Sequence, residues 1–185
     1  GRTQEQVLAG LQDGGGHSGH HMGGGSMDGM GSMGGMGSMS GGLNGDVTYP
    51  LHVINGRGPT ERQTAEAKPG QRVRMRFINA GSDTAYRVAV GGHRMTVTHA
   101  DGFPVDPVEV DCVVLGMGER YDVIVTAASG AFPIVAVPEG KEDPAGEAVL
   151  RTSTGAAAPV TGSRPNELKG KEITYQDLAA TKPVR

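Results

Sequence analysis

Arg72-Val73-Arg74-Met75-Arg76-Phe77 alternates a charged with an apolar side chain at every step. Successive side chains of a strand point to opposite faces, so a period of two places Val73, Met75 and Phe77 on one face and the three arginines on the other. A helical turn of 3.6 residues would scatter the same residues around its circumference and bury charge with them. The stretch is therefore a β-strand, half-buried against a core, with its arginines in water.

Outward from it the punctuation is that of an all-β protein. Lys68-Pro69-Gly70-Gln71 is a turn immediately before the strand, and Asn55-Gly56-Arg57-Gly58-Pro59 is another, ending an expected strand over residues 49–55. Downstream, residues 86–90 and 94–98 flank Gly91-Gly92-His93, which predicts a tight hairpin. Residues 108–115 read as one strand with Val108, Val110, Cys112 and Val114 on a single face, so that Cys112 points at the core. Further strands are expected at residues 120–126, 132–137 and 147–152, with a loop over 138–146. Roughly eight short strands separated by Gly, Pro, Asn and Asp imply a sandwich or barrel.

The texture divides the chain of 185 residues into four parts. Residues 1–13 read as a short helix, a connector from a preceding domain, with Thr3 as N-cap and Gln6 three positions on. Residues 14–45 are mostly Gly, Ser, Met and His, too rich in backbone entropy and too poor in apolar mass to fold alone, and are expected to be disordered. The β domain spans 46–152, and 153–185 has the composition of a linker to a following domain. The first residue is Gly rather than Met, which leads us to expect a processed product or a piece of something longer. A formal net charge of −3 argues against nucleic acid or an anionic membrane surface as partner, since those need clustered Lys and Arg. No apolar run approaches the roughly 18 residues of a membrane span. Cys112 is the only cysteine, so no internal disulfide forms.

Within the β domain, one series carries a family likeness. Tyr49-Pro50-Leu51-His52-Val53-Ile54-Asn55-Gly56 is followed by Pro69-Gly70-Gln71-Arg72-Val73-Arg74-Met75-Arg76-Phe77-Ile78-Asn79-Ala80. Gly91-Gly92-His93, Thr98-His99-Ala100-Asp101-Gly102-Phe103-Pro104-Val105 and Gly116-Met117-Gly118-Glu119-Arg120-Tyr121-Asp122-Val123 complete it. In this order and spacing the segments resemble the central domain of three-domain multicopper oxidases, the laccase-like and copper-resistance enzymes of bacteria especially. The resemblance implies an all-β, Greek-key cupredoxin-like (plastocyanin-like) sandwich or barrel, flanked in the parent chain by two further cupredoxin domains. It implies that the parent oxidises phenols or metal ions one electron at a time and reduces dioxygen to water, with copper as cofactor. An extracytoplasmic location, whether periplasmic, cell-surface or secreted, is implied by the resemblance alone.

This chain by itself lacks the residues for that chemistry. A type 1 copper takes two His, a Cys thiolate and usually an axial Met, and no His follows Cys112 on its loop. The trinuclear centre of the family draws on His-x-His pairs, and none occurs here. The central domain of the family holds no copper, in keeping with both absences. His52, His93 and His99 are read as structural, and Asp101 beside Gly102 as a hydrogen-bonded turn. Whether the chain counts as an enzyme therefore depends on the parent, and no catalytic residue is assigned.

Copper ligands are expected instead in the N-terminal segment. Met27, Met30, Met33, Met36 and Met39 recur every three residues, behind His17, His20, His21 and Met22. Thioether sulfur suits Cu(I) and imidazole suits Cu(II), and intervening Gly lets the chain wrap an ion. The plain alternative is a low-complexity linker. A second alternative to the oxidase reading is a stand-alone copper-binding or copper-chaperone-like protein that uses the β domain as scaffold.

Overall fold

The computed structural model describes residues 3–13 and 49–181. The chain divides into two units, Gly1–Val47 and Thr48–Arg185. In the first, helix α1 (Gln4–Asp13) begins with a reciprocal cap. The Thr3 hydroxyl accepts from the Gln6 N–H at 3.3 Å, and the Gln6 side-chain oxygen accepts from the Thr3 N–H at 2.9 Å. Two of the donors that a helix start leaves unpaired are thereby satisfied. The Gly/Met/His-rich segment lies outside the described residues.

The second unit holds nine strands: β1 (Gln63–Glu66), β2 (Arg72–Ile78), β3 (Tyr86–Val90), β4 (Met95–Ala100), β5 (Phe103–Val110), β6 (Cys112–Leu115), β7 (Arg120–Thr126), β8 (Ala131–Pro138) and β9 (Gly146–Arg151). They form a five-stranded sheet ordered β1-β9-β8-β3-β6 and a four-stranded sheet ordered β2-β7-β4-β5. All neighbours are antiparallel except β1 and β9. The inner faces meet in a core that includes Met95, Val97, Val113, Val123, Val125 and Leu150. Each such side chain contributes about 1.5–3 kcal/mol by leaving water. Strand β2 alternates as its sequence requires: Val73, Met75 and Phe77 pack on this core while Arg72, Arg74 and Arg76 are exposed. The result is a cupredoxin-like β-sandwich.

Three local expectations are corrected. Residues 49–55 pair with no strand, since the β9 edge is taken by β1; the one β contact there is the Ile54–Arg57 bridge around a tight turn with Asn55 and Gly56 at φ 51° and 75°. Gly91-Gly92-His93 is no hairpin, because β3 belongs to the five-stranded sheet and β4 to the four-stranded one, so the turn carries the chain from one sheet to the other. Residues 108–115 are two strands broken at Asp111, again with a change of sheet. Val113 and Leu115 consequently face the main core, whereas Cys112 is buried in a smaller cluster with Ala89, Val135, Ala145 and Leu168.

The cover over Cys112 comes from the C-terminal stretch, which contains 3-10 turns at Asn166–Lys169 and Tyr175–Asp177. Strands β5 and β6 are each one edge of their sheet, and this stretch lies along both. Glu172 bridges Cys112 and Ala180 bridges Val105. The Lys171 carbonyl accepts from the Asp111 N–H at 2.7 Å, and the Ala179 carbonyl from the Asp106 N–H at 2.8 Å. Leu168 and Ile173 are buried beneath it. Unpaired edge strands invite association with other chains, and the strap removes that hazard on this side.

Candidate functional site

The strand register sorts the connections to two ends. The 79–85, 101–102, 116–119 and 139–145 connections lie at one, the loop end, and the 67–71, 91–94 and 127–130 turns at the other, the turn end. The described histidines, His52, His93 and His99, are distributed between them and do not meet. At the loop end the buried His52 ring lies 2.6 Å by Nδ1 from the Tyr86 hydroxyl and 3.3 Å by Nε2 from Asp143 Oδ2. An ionised carboxylate only accepts, so Nε2–H donates to Asp143 and the Tyr86 hydroxyl donates to Nδ1. Asp143 also accepts from the Tyr49 N–H at 3.2 Å. Burial raises the Tyr86 phenol above its ordinary value.

At the turn end the Ala128 N–H donates to His93 Nε2 at 3.0 Å, and His93 Nδ1–H donates to the Gly91 carbonyl at 2.8 Å. Its ring meets Phe132 edge-on, with centroids 4.4 Å apart. His99 donates to the Thr98 hydroxyl at 3.1 Å, which itself donates to the Asp122 carbonyl. Each of the three described histidines is thus bonded as a structural element.

Cys112 is fully buried, and its sulfur lies 3.5 Å from Arg87 Nη1 and 4.0 Å from the Leu168 carbonyl. Burial pushes the thiol up, although the Arg87 guanidinium opposes this. A copper thiolate needs the reverse, a lowered thiol with two imidazoles beside it. Among the described residues no group of three or more His, Cys, Asp or Glu converges. The described residues therefore do not fit a type 1 or trinuclear copper. His17, His20, His21, Met22, Met27, Met30, Met33, Met36 and Met39, the copper ligands expected from the sequence, all lie outside the described residues.

Two features were not read from the sequence. Asp122, on the outer face of the four-stranded sheet, is only 5% exposed and takes both Arg74 and Arg76, the latter at 2.8 Å from Nε. The hydrogen bonds from Arg76 and then Arg74 outweigh burial and hold its carboxyl down at about 2. The period-two arginines of β2 opposite an Asp two positions from the start of β7 were the available signal. The second is apolar: Ile78, Phe103 and Met117 stand in water at the loop end. Ile78 falls in phase with the arginines of β2, so its outward direction was already implied by the alternation.

The family model for multicopper oxidases matches residues 35–155. With the cupredoxin-like sandwich described above, this places the chain in the multicopper oxidase family. A multicopper oxidase of Mycobacterium tuberculosis, MmcO, is 52% identical over 141 residues, which are 76% of this chain and 27% of that protein. Copper resistance protein A of Escherichia coli is 36% identical over 119 residues, 64% of this chain and 20% of that protein. The chain thus spans about a quarter of the length of these relatives. Among solved structures, Fet3p, described as a multicopper oxidase that functions in iron import, superimposes with a TM-score of 0.51 over 56% of this chain and 22% of its own, at 19% identity. That likeness concerns the fold. Copper is the cofactor of the family.

Proposed function

We propose that this chain is the central, copper-free cupredoxin domain of a longer multicopper oxidase, preceded by a segment that collects copper. The parent oxidises phenols or metal ions one electron at a time and passes the electrons to dioxygen, which leaves as water. The domain spaces and orients the flanking cupredoxin domains that hold the coppers, and the protein works outside the cytoplasm. The observation that carries this reading is the environment of Cys112: the chain's single thiol is sealed beneath Leu168 and beside Arg87, in a chain whose matched residues span 27% of a relative named as a multicopper oxidase. The Met and His residues from His17 to Met39 offer soft and borderline ligands on a glycine-rich chain, in keeping with a copper-collecting role.

The test has two arms. The gene that encodes the chain is read on both sides for His-x-His motifs and a His-Cys-His near the C-terminus, and its full product is examined for blue absorption and oxygen-consuming oxidation of a phenol. Both are expected, and a gene product ending at Arg185 would instead favour the copper-chaperone reading. Separately, Cu(I) is titrated against a chelator with the whole chain and with a chain starting at Asp46. Competition by the whole chain alone supports the copper-collecting segment; equal behaviour of the two reduces that segment to a linker.

A further inference from the structure

We infer that the loop end of the sandwich is the seat of the domain that follows this one in the same polypeptide, through a surface made of Ile78, Phe103 and Met117. This rests on the proposed place of the chain inside a longer oxidase. The three side chains are 56%, 68% and 53% exposed. Ile78 is opposite Arg120, and Ala100 is opposite both Tyr121 and Phe103, so Ile78 and Phe103 stand on the two outermost strands of one sheet at the same end. Three strand spacings separate them, about 14 Å. Met117 lies on the Gly116–Glu119 turn, which the Gly118 N–H ties to the Asn79 carbonyl at 3.0 Å, next to Ile78. Between the apolar residues lies an exposed pair, Arg120 and Asp101, 4.0 Å apart. Large apolar side chains with an arginine among them are the composition of a protein interface, and they are costly to leave in water.

The path of the chain identifies the occupant. The strap over β5 runs antiparallel to it, with Ala180 bridging Val105 and the Thr181 N–H donating to the Pro104 carbonyl at 3.3 Å. At Thr181 it is therefore heading towards Phe103. Leu168 and Ile173 anchor it, and Thr181 is held beside Pro104, the neighbour of Phe103. A domain attached there meets the exposed residues with little linker to order, and short tethers raise effective concentration most. At the turn end, none of the exposed large apolar residues lies in the 67–71, 91–94 or 127–130 turns.

The experiment is hydroxyl-radical footprinting, read by mass spectrometry, on the 185-residue chain and on the full native gene product. Met95, fully buried, is the internal reference. Phe103 and Met117 are expected to react readily in the 185-residue chain and to fall to the rate of Met95 in the full product. Undiminished reaction in a full product that is blue and active would overturn the inference while leaving the central-domain reading intact. A native product no longer than this chain would overturn both. Protection that develops in the 185-residue chain as its concentration rises would assign the surface to a second copy, and protection of Leu51 and Val53 without Phe103 would assign contact to the preceding part; either overturns the inference. As a second arm, Phe103→Asp with Met117→Asp in the full product should speed proteolytic release of the following domain, with the circular dichroism of the 185-residue double variant unchanged. Release at the unaltered rate counts against the seat.

Discussion

At the turn end the His93 ring is held between the Gly91 carbonyl and the Ala128 N–H and packs on Phe132, in a connection whose Gly92 takes φ 72°. At the loop end His52 is held by two side chains, Tyr86 of β3 and Asp143 of the 139–145 connection, and Ile78, Phe103 and Met117 stand in water at the same end. Both rings are buried and fully bonded, but one fixes backbone and the other fixes side chains that have other partners. Asp143 also accepts from the Tyr49 N–H, whereas the Ala128 N–H donates to the imidazole. A closed end built on backbone should tolerate less than an end built to be covered by something else.

The sharpest way to break this contrast is to remove each ring. His93→Ala removes the partner of the part-buried Ala128 N–H and of the Gly91 carbonyl and opens a void against Phe132, and should cost about 3 kcal/mol. His52→Phe keeps the volume and strands the Tyr86 hydroxyl and one oxygen of Asp143, both of which can turn to other partners or water, so about 2 kcal/mol is expected. Urea unfolding of the two variants decides the order. A larger loss at His52 would mean that the loop end carries more of the stability than its exposed residues suggest.

A smaller effect separates the ends by pH. Asp122 sits two residues from the start of β7, towards the loop end, and its carboxyl is held at about 2, below the ordinary 3.8, by Arg76 and Arg74. A depressed carboxyl contributes stability that is fully present above its unfolded value and lost as pH falls through its folded value. Asp122→Asn should therefore cost about 1–2 kcal/mol at neutral pH, the arginines being half in water. The gap from the unsubstituted chain should close as pH drops from about 4 through about 2. A gap that is constant across this window would make Asp122 a packing residue rather than an ionic one.

The same contrast explains what the sequence disclosed. Alternation is a local property, so β2 could be read from six residues, and the turn residues bounded most of the remaining strands. Which strands pair is not local: Gly91-Gly92-His93 has hairpin composition, yet β3 finds β6 and β8 while β4 finds β5 and β7. Cys112 is buried as its alternation implied, but in a different cluster from Val110, since the break at Asp111 turns the following residues over. Strand β1, Gln-Thr-Ala-Glu, has too little apolar character to announce itself and exists because the β9 edge is there to pair with. The copper ligands proposed for residues 17–39 were legible only as a composition, because a repeat of Met every three residues specifies donor chemistry without specifying geometry.

Phe103 gives the smallest expected effect and the most direct measure of the asymmetry. A phenylalanine before Pro-Val in a strand pattern reads as core, and its removal from a core would cost about 3–5 kcal/mol. Phe103 is 68% exposed, so Phe103→Ser should change the stability of the 185-residue chain by less than about 0.5 kcal/mol, the range of a surface substitution. Thermal or urea unfolding of this single variant measures it. A loss above about 1 kcal/mol would mean that the ring is packed within the chain itself, for instance against the strap near Thr181, and the loop end would then be as closed as the turn end. A negligible loss leaves a large aromatic ring that the domain does not use for its own folding, and such a ring is retained at an interface because it contributes there.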